Sequence, residues 1–173
     1  MKAETKQMRL VDPILMEIDQ EAVTTKKLLD IIPEDKLSWR PHPKARSLGE
    51  LALHIAQIQG LTAELGQQDT IELPNFPPDE EATSREQILE SFAESLKKAK
   101  VIVASTDDAR ALAEWKLTKE GKTLMAMPRL GFWRAILLNH TYHHRGQLST
   151  YLRELDVSIP SIYGPSADTN PFG

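Results

Sequence analysis

Cysteine is absent from this 173-residue chain. That excludes a disulfide framework, a thiolate zinc site, a protein-held iron–sulfur cluster and any cysteine nucleophile of the protein's own. No apolar run approaches the roughly 18 residues that span a bilayer; Ala135-Ile136-Leu137-Leu138 is among the longest. The opening MKAETKQMRL lacks the apolar core of a secretory signal. A cytoplasmic protein with no membrane partner is therefore expected. Positive charge is not in excess either: 21 basic against 25 acidic residues leave a net charge of −4. Without a basic stripe, no nucleic-acid partner is expected. Glycine and proline, 8 and 11 residues, stay near average, which excludes collagen-like and low-complexity chains.

The remainder is ordinary for a folded protein. Forty per cent of residues are apolar and 27% charged, enough to bury a core, and the length suits one domain over residues 1–173. Four long segments carry helical periodicity. The first opens at Asp12-Pro13, read as a cap followed by proline in the first turn. It continues through Leu15, Ile18, Ala22, Thr25, Leu29 and Ile32 to a stop at Pro33. The second starts at Ser47 with Glu50 as a capping box, runs through Leu51, His54, Ile58, Leu61 and Leu65, and stops at Gly66. The third opens at Thr83 with Glu86 and runs through Ile88, Phe92, Leu96, Ala99 and Val103.

The fourth, from about Pro128 to about Leu155, has the inward stripe Leu130, Trp133, Leu137, His140, His144, Leu148, Tyr151 and Leu155. Gly131 and Gly146 interrupt it, and close packing or function would account for them. Residues 67–82, with three prolines, read as a long loop, and 107–113 as a short helical piece. Residues 115–127 resemble two strands around Glu120-Gly121. The tail after Asp156, with three prolines and two glycines, is not a long helix. The fold class expected is all-α: a four-helix bundle with long crossover connections and a short hairpin before the last helix.

Chemistry centres on histidine. His140 and His144, four apart on one helix face, can grip one metal ion. Spacing alone is weak evidence, since five histidines often supply such a pair by chance. Position is stronger. Both occupy an apolar inward stripe where leucine would leave no polar atom unpaired, and His54 does the same on the second helix. Three imidazoles facing one core are difficult to satisfy by mutual hydrogen bonds, and a divalent cation would satisfy them. Its remaining coordination position would be open, as in catalytic sites. Because the ligands must be neutral, metal affinity should fall below about pH 6.5.

Other residues keep two readings. Arg145 would orient an anionic substrate or cofactor group, or form an outer-face ion pair. Gln147 would hold the second nitrogen of His144, or simply pack. Glu50 is read as a cap before it is read as a base. His143 is placed at the surface or behind a ligand, and His42 in its Pro41-His42-Pro43 turn. Trp39, Trp133, Tyr151, Met125 and Met127 are read as packing residues. No glutamate follows His140, which argues against proteolysis of the H-E-x-x-H kind.

The stretch Asn139-His140-Thr141-Tyr142-His143-His144-Arg145-Gly146-Gln147-Leu148, continuing to Tyr151-Leu152-Arg153, resembles the C-terminal helix signature of the DinB/YfiT-like superfamily. Trp39-Arg40-Pro41, Ser47-Leu48-Gly49-Glu50-Leu51 leading to His54, and the tail from Pro160 to Asp168 are similar to further parts of that family. The resemblance implies a four-helix bundle, often a homodimer, with a three-histidine divalent-metal site carried by His54, His140 and His144. It leaves the reaction open, since relatives include low-molecular-weight thiol S-transferases, a mycothiol-dependent isomerase and metal-dependent hydrolases. Three functions follow as alternatives. One is a transferase using a small thiol as cosubstrate on a small-molecule electrophile, with zinc or nickel in the site. The others are a metal-dependent hydrolase and a metal-binding stress-response bundle without catalysis.

Overall fold

The computed structural model describes residues 7–75 and 78–172. Helix α1 spans Asp12–Leu29, α2 Leu48–Leu65, α3 Arg85–Ala104 and the short α4 Asp108–Leu112. The last helical run has three parts: α5 (Arg129–Phe132), a π-helical stretch over Trp133–Asn139, and α6 (His140–Glu154). The expected parts of the loop at 76–77 and of the N-terminal segment at 1–6 lie outside the described residues.

Local chemistry sets the boundaries. Ser47 caps α2 with the complete reciprocal box: its hydroxyl accepts from the Glu50 amide, and the Glu50 carboxylate accepts from the Ser47 amide. At α1 the cap lies one residue earlier than expected, at Val11, because the Asp12 carboxylate accepts from the amide and guanidinium of Arg9. At α3 the cap is Ser84, one residue later than Thr83; its hydroxyl accepts from the Gln87 amide, and Thr83 donates to the Gln87 side chain.

The chain is mostly helical but not purely all-α. Strands β2 (Glu114–Lys119) and β3 (Lys122–Pro128) form the expected antiparallel hairpin. Glu120 and Gly121 turn it with φ of 50° and 76°, the left-handed pair that two-residue hairpins require. The correction is a third strand. Within the presumed loop, β1 (Thr70–Glu72) pairs parallel with β2, Ile71 opposite Leu117. Three residues carry too short a pattern to announce a strand, and this one is set by its neighbour: the Glu72 carboxylate accepts from the Thr118 hydroxyl and the Glu120 amide, each at 2.6 Å.

Two apolar clusters form the interior. One joins Leu28 of α1, and Ile32 just beyond its end, to Leu51 and Ile55 of α2, Phe92 of α3, and Leu148 and Leu152 of α6. The other joins Ile18, Val103, Trp115, Phe132, Trp133 and Leu137. Buried polar residues sit between cluster members on each long helix: Glu21, Gln59, Ser95, Thr141 and Arg145. Helices α2 and α3 pack closely where a Cβ on Gly60 would stand 3.0 Å from Ser95. There the Ser95 hydroxyl accepts from the Gly60 amide and donates to the Gln57 carbonyl. Among the described residues, no atom lies within 4 Å of where a Cβ on Gly146 would stand, so close packing does not explain a glycine there.

Candidate metal centre

His54 projects from the middle of α2, and His140 and His144 from the first two turns of α6, which packs against α2. One ring nitrogen from each lies within 4.8 Å of the others. The ring of His54 meets those of His144 and His140 edge-on, with centroids 4.5 and 5.4 Å away. Nε2 of His140 and Nε2 of His144 stand 2.6 Å apart.

Protons can be assigned from the partners. The Gln147 side-chain oxygen accepts from Nδ1 of His144 at 2.7 Å. Since that oxygen cannot donate, Nδ1 of His144 carries the proton and its Nε2 presents a lone pair. His140 can satisfy that lone pair only by donating its own Nε2 proton. Nε2 of His54 is buried and has no hydrogen-bond partner among the described residues. An orphaned ring nitrogen beside two more imidazole nitrogens, one with its tautomer fixed from behind, is a set that fits a divalent cation. Of the two readings of Gln147, the hydrogen bond to His144 is the one found.

Electrostatics keeps these rings neutral. Burial, then the positive charge of Arg46 and the neighbouring imidazoles, lowers the pKa of His54 to about 4. Burial does the same for His144, reinforced by His140 and Arg46 and opposed by Gln147, again to about 4. His140 is lowered by burial, His143 and Arg46. Proton competition for the nitrogens therefore sets in below the pH of about 6.5 expected from free imidazole.

The remaining candidates fall outside the trio. His143 is exposed and meets the His144 ring edge-on, and His42 is an exposed loop residue that accepts from the Lys44 amide. Glu50 is held by its capping role and by Arg40 at 3.3 Å. Arg145 is buried with Glu21, 2.6 Å away, so its ion pair is interior and not on the outer face. It also donates to Thr25 and to the Tyr163 hydroxyl, and lies between the rings of Tyr142 and Tyr163 at 5.2 and 5.0 Å. Trp133 is fully buried, and Trp39 and Tyr151 pack edge to face at 5.6 Å.

A cleft of about 580 Å³ adjoins His54, with Arg46 and Asp79 on its walls. Neither was anticipated. Arg46 lies just ahead of the α2 cap, where no periodicity marks it, and Asp79 reaches it from 33 residues away.

Residues 17–148 match the family model described as the DinB superfamily. The uncharacterized protein YrdA of Bacillus subtilis is 26% identical over 159 residues, covering 91% of this chain and 90% of that protein. Among solved structures, a DinB-like protein from Bacillus cereus has a TM-score of 0.67 at 21% identity, covering 86% of this chain and 95% of that one. A DinB-like protein from Bacillus subtilis has a TM-score of 0.67 at 18% identity, covering 87% and 97%. Likeness at these identities concerns the fold.

Proposed function

The chain belongs to the DinB superfamily, and from that premise we propose that it is a divalent-metal enzyme acting on a small molecule. His54, His140 and His144 are its ligands, set in a four-helix bundle. The observation that carries this reading is the buried, partnerless Nε2 of His54 lying within 4.8 Å of two further imidazole nitrogens. When bound, such an ion supplies Lewis acidity that favours the thiolate form of a low-molecular-weight thiol at neutral pH.

Thiol transfer is favoured over hydrolysis by what the neighbouring carboxylate is doing. Hydrolysis needs a positioned proton acceptor; Glu50, one turn before His54, is committed to the Ser47 amide and to Arg40, Asp79 faces Arg46, and exposed Glu80 has no partner among the described residues to position it. Gln147 holds the proton on Nδ1 of His144 and so keeps Nε2 available. Arg145 serves as a positioning residue, clamping α6 to α1 through Glu21. Zinc or nickel as the ion, both suited to imidazole donors, a homodimer as the assembly and the cytoplasm as the compartment complete the proposal.

Metal analysis of protein purified without a histidine tag, followed by assays of a chlorinated or epoxide electrophile with and without small thiols, tests it. A metal-dependent adduct is the expected result. Ester or lactone turnover without thiol would replace transfer by hydrolysis. Equal ion content in wild type, His140→Ala and His144→Ala would end the metal assignment.

A further inference from the structure

The cleft beside His54 carries charge of both signs, and their arrangement restricts what can enter. Arg46 faces Asp79 in a two-pronged pair, with Nε to Oδ2 at 2.8 Å and the second nitrogen to Oδ1 at 3.1 Å. Both side chains keep about a third of their surface in water. Such a half-exposed pair adds little stability and exchanges partners readily. Glu80, on the same wall, is exposed and has no hydrogen-bond or ion-pair partner among the described residues. Glu50 is already neutralised by Arg40. A simple anion entering here would meet two carboxylates, and a simple cation would meet Arg46 and the bound ion. A molecule bearing both charges meets neither penalty.

We infer that the cleft selects a small zwitterionic substrate, whose carboxylate takes the fork of Arg46 while its ammonium group is received by Asp79 and Glu80. One ion pair is exchanged for two, and Glu80 shares the ammonium group with Asp79. The inference rests on the metal-site reading above, since His54 is one of the residues that line the same cleft. Arg46 is then the residue that distinguishes carboxylate-bearing substrates.

Four small thiols of similar size separate the charges: cysteine, with both groups; 3-mercaptopropionate, with the carboxylate alone; cysteamine, with the ammonium alone; and 2-mercaptoethanol, with neither. Each is titrated into cobalt-loaded full-length protein, and binding is followed by the sulfur-to-cobalt charge-transfer band. Cysteine should bind tightest. Arg46→Gln should weaken cysteine and 3-mercaptopropionate by about tenfold or more, the worth of a charge-assisted hydrogen bond, and leave 2-mercaptoethanol unchanged. Asp79→Asn should weaken cysteine and cysteamine instead. Circular dichroism and cobalt stoichiometry confirm that both variants are folded and loaded. If the wild type loads cobalt but binds all four thiols alike, or if both variants weaken all four equally, the zwitterion assignment is overturned and the metal centre stands. If the wild type takes up no cobalt, the metal-site reading itself falls and the substrate assignment falls with it.

Discussion

Replacing His54 by leucine should make the metal-free protein more stable. A buried, unpaired polar atom costs about 1–3 kcal/mol, and Nε2 of His54 is such an atom. Leucine has a similar volume and would join Leu51, Leu53 and Ile55, all buried within one apolar cluster. For a chain of 173 residues each kcal/mol moves Tm by roughly 2–4 °C. His54→Leu should therefore melt about 2–12 °C above wild type in the presence of a chelator. Metal reverses the order. A ligand present at a hundred times its Kd stabilises the native state by about 2.7 kcal/mol, or roughly 5–11 °C here. The wild type gains that increment, and the variant, with two imidazoles left, gains little of it. Thermal melts of both proteins, with chelator and with zinc, read the crossing directly. A variant that melts at or below wild type in chelator, or keeps the full zinc increment, would refute the claim that Nε2 of His54 is an orphan awaiting a cation.

Three further outcomes follow from neighbouring contacts. Gln147→Leu removes the acceptor that fixes the His144 tautomer; calorimetric titration should show zinc affinity reduced about 10–100-fold, with helix content unchanged. Arg145→Met leaves the buried carboxylate of Glu21 without its 2.6 Å partner and should cost about 3–5 kcal/mol in urea unfolding, whereas zinc stoichiometry of the folded fraction stays as in wild type. Acid should destabilise the metal-free form in a defined window. His54 and His144 titrate near 4 in the folded chain and near 6.5 when unfolded, so between those values the unfolded state binds more protons. Stability is complete above about pH 6.5 and declines toward pH 4, by about 1 kcal/mol per pH unit at most once partial solvent contact is allowed for. Urea midpoints that stay flat across that range would contradict the burial of the two rings.

How much of this was legible in the sequence depended on the range of the interaction. The Ser47–Glu50 box and the Glu120-Gly121 turn were visible because each is decided within four residues. The histidines were visible because leucine would have served better at their stripe positions, and that cost is a local signal. The pair of Glu21 and Arg145 spans 124 residues and leaves no trace in either helix taken alone. Its members look like surface charges until the fold brings them together. Arg46 and Asp79 were invisible for the same reason, and β1 is a strand only because β2 offers it an edge.

The last helical run shows why three imidazoles could be expected to meet even though the stripe that announced them was partly wrong. The expected inward face placed Leu130, Tyr151 and Leu155 in the core, but these are only partly buried, and Phe132, Leu138, Thr141 and Leu152 are buried instead. The π-helical stretch over Trp133–Asn139 accounts for the upstream part of the shift. Its i→i+5 bonding widens the turn, so a residue counted at 3.6 per turn from Leu130 arrives on a different side of the helix. His140 begins α6 immediately after that stretch, and His144 and Gln147 lie on the same regular turns beyond it. Their mutual spacing is thus untouched by the irregularity, and only their orientation relative to Trp133 and Leu137 changes. Single-turn π stretches cost hydrogen-bond geometry and cluster at functional sites. Here the stretch stands between a packing segment anchored by Trp133 and a segment that must aim two imidazoles at α2, so one continuous helix can meet both demands in different registers.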